Sequence, residues 1–353
     1  MAKKITALLL ALVMVFALCA CGNNGNGSSA GGEDVGDETY TIRIACENSD
    51  SYPATLGLYQ MEKYIESHTN GKVQVEVCSA GQLGGEEETL EQVAQGNLEM
   101  AVASFAPVVS YVPEFMVMDI PFVFNSYAEA WMVLDSYIGT DLLDKMEAQG
   151  LKGLAYMENG MRQVTSNVSP INSAADFKGL KIRTMQNNNH MASFSALSAN
   201  PTPVAFSELY ISLSQNVVAA QENPIANVTD KKLHEVQKYL SLTNHIYDAM
   251  PLVCNLDFFN SLPQAYQKVV QAGAIYGQEF SRFCNLERED LIVAELESEL
   301  GMTVNEVSNA ARAEMAKIAQ PAVIEMIAKD IGQDAVDEYL ANVEDVLAQI
   351  AKY

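Results

Sequence analysis

Positive charge is scarce in this sequence of 353 residues. Lysine and arginine together number 21, against 45 aspartates and glutamates, so the formal net charge is -24 at pH 7. A surface this acidic repels nucleic acid and anionic lipid headgroups, and we therefore expect no nucleic-acid partner. The same scarcity makes any arginine that faces a cleft conspicuous, and the arginines are few: Arg43, Arg162, Arg183, Arg282, Arg288 and Arg312.

The sequence also lacks the residue patterns on which enzymes rely. No predicted strand–turn–helix unit carries the G-x-S-x-G pattern of a hydrolase nucleophile. The segment HEVQK begins like a zinc-binding helix, but Lys238 stands where the second histidine would be needed. The four histidines have no ligand spacing among them. We therefore predict no catalytic residue, no metal site and no cofactor.

An acid-rich segment, GGEEE at residues 84–88, has two interpretations. Clustered carboxylates can bind a metal ion. Acidic side chains are also favoured in the first turn of a helix, where free N–H groups carry partial positive charge. We interpret this segment as a solvated helix start.

Cysteine pairs of the C-x-x-C type are absent from the chain. Four cysteines follow the N-terminal region: Cys46, Cys78, Cys254 and Cys284. Outside the cytoplasm they could form two disulfides, with three possible connectivities. Four buried thiols are an equally good interpretation, because Cys46 and Cys78 end apolar strand-like segments.

The N-terminal residues have the features of a secretory signal. Lys3 and Lys4 precede an apolar segment, residues 5–16, that is too short to span a membrane. The following LCAC, with Cys21 before a glycine, resembles a bacterial lipobox, although an ordinary signal peptide is the alternative. We predict a signal peptide at 1–20, a lipid anchor on Cys21 and a flexible tether at 21–39 that has no apolar periodicity.

After the tether, strands and helices alternate, as in a parallel α/β fold. The order is strand 39–46, helix 53–71, strand 72–78, helix 84–96 and strand 97–104. A helix at 126–149 and a strand at 152–159 complete this first set. A second set begins with strand-like residues 162–167. Two strands within 241–263 are expected to cross back between lobes, and a helix without proline is expected from Pro263 to about Leu300.

Arg183 is the first candidate for a binding residue. Leu180 to Met185 alternates like a half-buried strand, and a helix is predicted directly after it, at 187–199. Ligands of open α/β sheets collect beyond the carboxyl ends of the strands, where helix amino termini favour anions. A guanidinium there matches a carboxylate by two-point contact. A structural arginine paired to an acid is the alternative.

Several segments, in order, resemble one family of proteins. They include VEVCSAGQLGGEEETLEQVAQGNLEMA, VPEFMVMDIPFVF, NGMRQVTSN, DFKGLKIRTM, SANPTPVAFSELYISL, QENP and VQKYLSLTNH. Together they are similar to the solute-binding proteins of tripartite ATP-independent periplasmic (TRAP) transporters, the DctP family. Two departures are Ser198, where the family usually has glycine, and Ala219-Ala220, where Asp-Gly is common.

The resemblance implies a set of ligand-binding residues. The principal carboxylate-binding arginine would be Arg183, a second arginine facing the ligand would be Arg162, and Phe206 would form an aromatic wall. The remaining implied positions are polar: Asn223 beside the carboxylate, and Asn48 or Ser49 with Ser104 from the first lobe.

The resemblance also implies a fold and a function. The fold would be α/β with two lobes like those of periplasmic binding proteins, joined by crossing strands and by one long helix spanning both. Lobe I would comprise residues 40–159 plus about 250–290, and lobe II residues 160–249 plus about 291–353. The protein would be an extracytoplasmic lipoprotein that captures a small organic acid, such as a C4-dicarboxylate, for TRAP membrane subunits. A binding protein of an ABC importer and, less favoured, a lipid-anchored hydrolase are the alternatives.

Overall fold

The computed structural model describes residues 37–350. The predicted signal peptide at 1–20, Cys21 and the tether up to residue 36 lie outside the described residues. Among residues 37–350, no helix is both long and apolar enough to cross a membrane.

The described residues form ten strands in two sheets that share one strand. The strands are β1 (Tyr40–Ala45), β2 (Val73–Cys78), β3 (Met100–Val102), β4 (Leu151–Ser166), β5 (Lys181–Thr184), β6 (Asn200–Pro203), β7 (Ala220–Pro224), β8 (Tyr239–Leu242), β9 (Tyr247–Asn255) and β10 (Thr303–Glu306). The first sheet has the order β2-β1-β3-β9-β4, and the second has the order β6-β5-β7-β4-β8-β10. This is the predicted two-lobed α/β architecture.

Strand β4 passes through both sheets. Its residues 151–161 pair with β9 in the first sheet, and residues 162–166 pair with β7 and β8 in the second. The prediction of two separate strands, 152–159 and 162–167, is therefore wrong. The register shifts between Glu158 and Gly160, where glycine adopts φ +125°, so the strand bulges there instead of ending.

The chain returns to the first sheet between β8 and β9. Strand β8 pairs in the second sheet, and β9 pairs with β3 and β4 in the first. Of the two strands predicted within 241–263, β9 is present, whereas β8 overlaps that range only at its last two residues and residues 256–261 are helical. Four residues, 243–246, connect β8 to β9.

Helices cover the sheets and connect the lobes. They are α1 (Pro53–His68), α2 (Glu86–Ala94), α3 (Phe105–Val108), α4 (Tyr127–Leu134), α5 (Tyr137–Lys145), α6 (Asn188–Ala196), α7 (Leu209–Ser214), α8 (Ile225–Asp230), α9 (Leu256–Ser261), α10 (Gln264–Ser298), α11 (Asn309–Ile331) and α12 (Gln333–Ile350). The predicted single helix at 126–149 is two helices, because Ser136 caps the start of α5.

Helix α10 is the predicted long helix, with 35 residues. It packs against α1 of the first lobe and also contacts α8 and β10 of the second. The contact with α1 is close because glycines face each other: a Cβ on Gly57 would lie 2.5 Å from the Gly277 carbonyl oxygen. The two lobes thus share a rigid element on one side.

The C-terminal helices contribute to both hydrophobic cores. Ala311, Met315 and Ala319 of α11 lie in a core of the second lobe. Val323 and Ile327, one and two turns later, lie in the first-lobe core, together with buried residues of α12. This differs from the predicted division, which placed all of 291–353 in lobe II, because the buried side of α11 passes from one core to the other.

The cysteines of the described residues are free, buried thiols, namely Cys46, Cys78, Cys254 and Cys284. Cys46 illustrates their environment, since its sulfur lies 3.3 Å from the Thr55 hydroxyl in the core. Of the two interpretations, the structure therefore agrees with four thiols.

Candidate functional site

Two adjoining cavities open between the lobes. The outer one has a volume of about 390 Å³. The inner one, of about 20 Å³, has room for roughly one water molecule. Four residues line both cavities, so the two form one cleft: Glu86, Arg183, Met185 and Phe206.

Arg183 lies at the centre of this cleft, on strand β5. Its residue is 1% exposed, and its Nε donates to the Val204 carbonyl at 2.8 Å. That bond fixes the plane of the guanidinium. The buried Nη1 has no hydrogen-bond partner among the residues that the structure describes. A buried donor without a partner is costly, and the cleft therefore offers an anion an unfilled position.

The charge of Arg183 is incompletely balanced by the protein. Burial lowers the pKa of Arg183 to about 10, although Glu222 and, more weakly, Glu86 and Glu47 oppose this shift. The side chain remains protonated at neutral pH. No acid among residues 37–350 forms an ion pair with it, in contrast to the other buried arginine of the cleft region, Arg162.

The amino terminus of helix α6, expected to face the same anion, is occupied by protein groups. The Asn187 side chain accepts from the N–H groups of Asn189 and His190. The amides of Asn187 and Asn189 donate to Asp119 of the first lobe, each at 2.9 Å. Asp119 is therefore the anion at this helix end, so the amino terminus of α6 is not available to bind a ligand anion beside Arg183.

Arg162 is bound to protein carboxylates. On strand β4 it is 1% exposed; its Nη2 donates to Glu222 Oε1 at 2.8 Å and its Nη1 to Asp248 Oδ2 at 2.9 Å. A further, weaker contact joins Nη2 to the Asn223 side chain at 3.3 Å. Arg162 lines neither cavity of the cleft. Its contact with the ligand stays a prediction, and its hydrogen bond to Asn223 connects it to a residue that lines the inner cavity.

Glu222 is the hub of a buried charge network behind Arg183. Burial would raise its pKa, but the Arg162 guanidinium, with the nearby His190 ring and a hydrogen bond from His245, holds the pKa well below its usual range. Burial also opposes protonation of His190, yet its contacts with Asp119 and Glu222 prevail and raise its pKa to about 9. The network joins β4, β7 and α6 to the first-lobe residue Asp119.

Side-chain amides form the inner wall of the cleft. Asn223, at the end of β7, and Asn227, one turn into α8, are joined by a 3.2 Å hydrogen bond. Asn48, which follows β1, donates to Asn227 at 2.9 Å and so connects the lobes. Asn159 of β4 lines the same cavity. Each amide offers both a donor and an acceptor.

Ser104 lines the inner cavity and holds a carboxylate that the sequence did not indicate. Its N–H and its hydroxyl both donate to Glu86 Oε1, at 3.0 and 2.9 Å. The interpretation of residues 84–88 as a solvated helix start holds for the exposed Glu87 and Glu88 but is wrong for Glu86, the first residue of α2. Nothing in the three identical acids signals which of them turns inward.

The predicted aromatic wall lines both cavities. Phe206 stands after β6, and the Lys231 ammonium lies 4.8 Å from the centre of its ring. The same ammonium donates to the Glu47 carbonyl at 3.1 Å, while the Glu47 carboxylate accepts from the N–H of Glu86 at 3.3 Å.

In the described part of the chain, no group of three or more metal-ligating side chains is arranged to hold a metal ion.

Ser49 is placed elsewhere. Its hydroxyl hydrogen-bonds to Asp230, and it lines a different cavity, of about 400 Å³, together with Arg288. Of the alternatives Asn48 and Ser49, the geometry of the cleft therefore favours Asn48. The structure brings together Arg183, Asn223, Phe206, Ser104 and Asn48, and adds Glu86, Asn159 and Asn227, which the sequence analysis missed.

Comparison with known proteins identifies the group to which this cleft belongs. The family described as bacterial extracellular solute-binding protein, family 7 (DctP), matches residues 44–330. The chain belongs to the DctP family. It is an extracytoplasmic solute-binding protein of the TRAP class, a family that binds small organic acids and works with TRAP membrane permeases.

Relatives of the DctP family member described here bind different acids. The 2,3-diketo-L-gulonate-binding periplasmic protein YiaO of Escherichia coli (strain K12) is 31% identical over 84% of this chain and 89% of its own length. A TRAP solute-binding protein from Polaromonas sp. JS666, bound to D-erythronate, has 34% identity and a TM-score of 0.81, covering 86% of this chain and 98% of its own. Another, from Sulfurospirillum deleyianum with bound succinate, has 30% identity and a TM-score of 0.78, covering 86% and 99%.

Proposed function

We propose that this DctP protein captures a small organic acid by its carboxylate, which binds the guanidinium of Arg183, and delivers it to a TRAP membrane permease. The observation that carries the proposal is the buried, unpartnered Nη1 of Arg183 in the interlobe cleft. A carboxylate there would supply the missing acceptor and balance the charge at once.

The ligands named for the relatives support this assignment. Diketo-gulonate, D-erythronate and succinate differ in length and in hydroxylation, but each carries a carboxylate. A TRAP partner is favoured over an ABC importer because the family and its structural neighbours are of the TRAP type.

A thermal-shift screen of organic acids followed by calorimetric titration tests the proposal. A ligand that binds only the folded protein raises its melting temperature by mass action. Arg183→Ala should abolish the shift. Arg288→Ala is the matched control, because Arg288 lines the separate cavity that contains Ser49. If Arg288→Ala loses binding while Arg183→Ala binds as well as the wild type, the ligand binds in that second cavity and the proposal is wrong.

We further propose that the protein binds its ligand without converting it. The residues that line the cleft include no histidine or cysteine, and the acids named for the relatives contain no ester or glycosidic bond, which disfavours the hydrolase alternative. Proton NMR of a confirmed ligand after prolonged incubation with stoichiometric protein should give an unchanged spectrum. Appearance of a product would contradict this.

We also propose that Cys21 carries a lipid that holds the protein on the outer face of the membrane. The charged, apolar leader and the LCACG junction support it. The test is fractionation of cells that express the wild type or Cys21→Ser.

A further inference from the structure

Hydrogen bonds join two short segments of the chain across the boundary between the lobes. The first segment, residues 47–49, lies just after β1 of the first lobe. The second, residues 227–231, comprises most of α8 and the residue after it, in the second lobe. The bonds run from Asn48 to Asn227, from the Ser49 hydroxyl to Asp230 and from the Lys231 ammonium to the Glu47 carbonyl. We call these three bonds the latch.

Each half of the latch is attached to its own lobe. Ile225 and Val228 of α8 are buried in a core of the second lobe, together with Leu240 of β8. The carbonyl of Asn48 accepts from the N–H of Ala80, just after β2 of the first lobe, at 2.7 Å. A rotation that separates the lobes therefore breaks the latch, and the latch forms only when the lobes are closed.

The outer part of the latch lies away from the space that a ligand would occupy. Ser49, Asp230 and Lys231 line neither cavity of the cleft. Asp230 is the last residue of α8, where a negative charge is unfavourable for the helix itself. Its carboxylate therefore contributes to the contact between the lobes and not to the stability of α8.

The inner part of the latch is connected to the position of the ligand carboxylate. Asn227 donates to Asn223 at 3.2 Å, and Asn223 lines the inner cavity together with Arg183. Closing the lobes around an empty cleft leaves the Nη1 of Arg183 buried without a described partner, which disfavours closure. The latch opposes that cost, so the closed form of the empty protein depends on it.

We infer that the latch stabilises the closed arrangement of the lobes whether or not the cleft is occupied, and that Asp230 is a positioning residue that prolongs the residence of a ligand without touching it. The inference goes beyond the proposed function, because closure of the empty protein requires no ligand. A ligand that binds the closed form has an apparent affinity proportional to the fraction of closed protein. Loss of the latch should therefore weaken binding.

Small-angle scattering of the ligand-free full chain tests the first part of the inference. Asp230→Ala should have a larger radius of gyration than the wild type, because more of the protein is open. Ser79→Ala is the matched control, since the Ser79 hydroxyl donates to Asp50 within the first lobe and its loss removes the same type of bond without crossing the cleft. An equal radius for the wild type and Asp230→Ala would overturn the inference.

A double-mutant cycle shows whether the two side chains act as one contact. Ser49→Ala should increase the radius like Asp230→Ala, and the double variant should exceed neither single variant, because both changes remove the same bond. Additive effects would contradict a shared contact. If Asp230→Ala melts at a lower temperature, Ser49→Ala, which deletes only a hydroxyl, still decides the matter.

Dissociation kinetics test the second part, with D-erythronate and succinate as the probes. Asp230→Ala should accelerate dissociation roughly tenfold, the factor expected from one half-buried hydrogen bond to a charged group, and leave the association rate nearly unchanged. Asp230→Asn keeps an acceptor oxygen and should recover part of the effect. An unchanged dissociation rate in Asp230→Ala would refute the role of Asp230.

Arg288→Ala excludes a direct contact between Asp230 and the ligand. Arg288 lines the same outer cavity as Asp230 but takes no part in the latch. Its replacement should leave the dissociation rate as in the wild type. If Arg288→Ala accelerates dissociation as much as Asp230→Ala does, the acid is bound in that cavity and the latch is refuted.

Failure of the inference is distinguishable from failure of the proposed function. If no organic acid binds the wild type, the proposed function is refuted, and the radii of the ligand-free proteins still decide whether the latch exists. If acids bind through Arg183 and Asp230→Ala behaves like the wild type in both measurements, the function stands and the latch is wrong.

Discussion

Replacement of Arg183 by alanine is the most informative single change. The guanidinium is 1% exposed and is fixed by the Val204 carbonyl, so its interaction with a bound carboxylate takes place out of water. Binding at micromolar strength corresponds to about -8 kcal/mol. Removing one member of a desolvated charge pair costs on the order of 2–5 kcal/mol, much of it from stranding the other charge. Arg183→Ala should therefore weaken binding by roughly thirtyfold to several thousandfold.

The stability of the empty protein should respond differently. Burial disfavours the charged form of Arg183, and its Nη1 has no partner in the described chain. Removing the side chain therefore breaks no ion pair, and the melting temperature should stay the same or rise. Arg183→Lys keeps the charge but loses the planar fork, so it should recover part of the affinity. Calorimetric titration with melting curves measures both quantities. Wild-type affinity in Arg183→Ala would place the carboxylate elsewhere and refute the reasoning.

Four further outcomes are expected. Arg162→Ala should lower the free energy of unfolding by about 3–5 kcal/mol in urea titrations, since it leaves Glu222 and Asp248 buried and unpaired; an unchanged midpoint would contradict this network. The pKa of His190 is raised from 6.5 to about 9 in the folded protein, so its contribution to stability should be complete below pH 6.5 and be lost as the pH rises to 9. The free energy of unfolding of His190→Gln should not show this pH-dependent loss. Identical pH profiles for the variant and the wild type would contradict the role of His190. Cys21→Ser should release the protein from membranes, and retention after a salt wash would exclude the lipid anchor. A confirmed ligand should reduce the radius of gyration in small-angle scattering through rotation at β4 and the β8–β9 connection, and a constant radius at saturation would disprove closure.

The parts of the fold that follow local rules could be predicted from the sequence. The long helix at 264–298 lacks proline, and the alternation of β1, α1 and β2 follows from hydrophobic periodicity. The continuity of β4 could not be predicted, because a glycine at position 160 indicates the end of a strand in sequence, whereas pairing with β9 accommodates it in a bulge. The contribution of α11 to both cores could not be predicted either, because the apolar face of a helix does not indicate in sequence which lobe it packs against.

The part of the candidate site that lies at a strand end could be predicted, because ligands of open α/β sheets bind beyond the carboxyl ends of the strands. Arg183 could be located from the end of β5 and from the family resemblance. Arg162 has the same chemistry, but its partners Glu222 and Asp248 lie 60 and 86 residues away, and sequence spacing does not reveal such ion pairs. Glu86 was missed for a related reason. Its inward orientation depends on Ser104, which lies on the next strand-to-helix turn.

The interleaving of the two cores makes the lobes depend on each other for stability. The second-lobe core includes Ala319 of α11, and the first-lobe core includes Val323 of the same helix and Val346 of α12. A chain shortened before α11 would therefore leave apolar surface exposed in both lobes. The lobes of this protein are separate in their sheets but not in their cores, so neither is an independent folding unit.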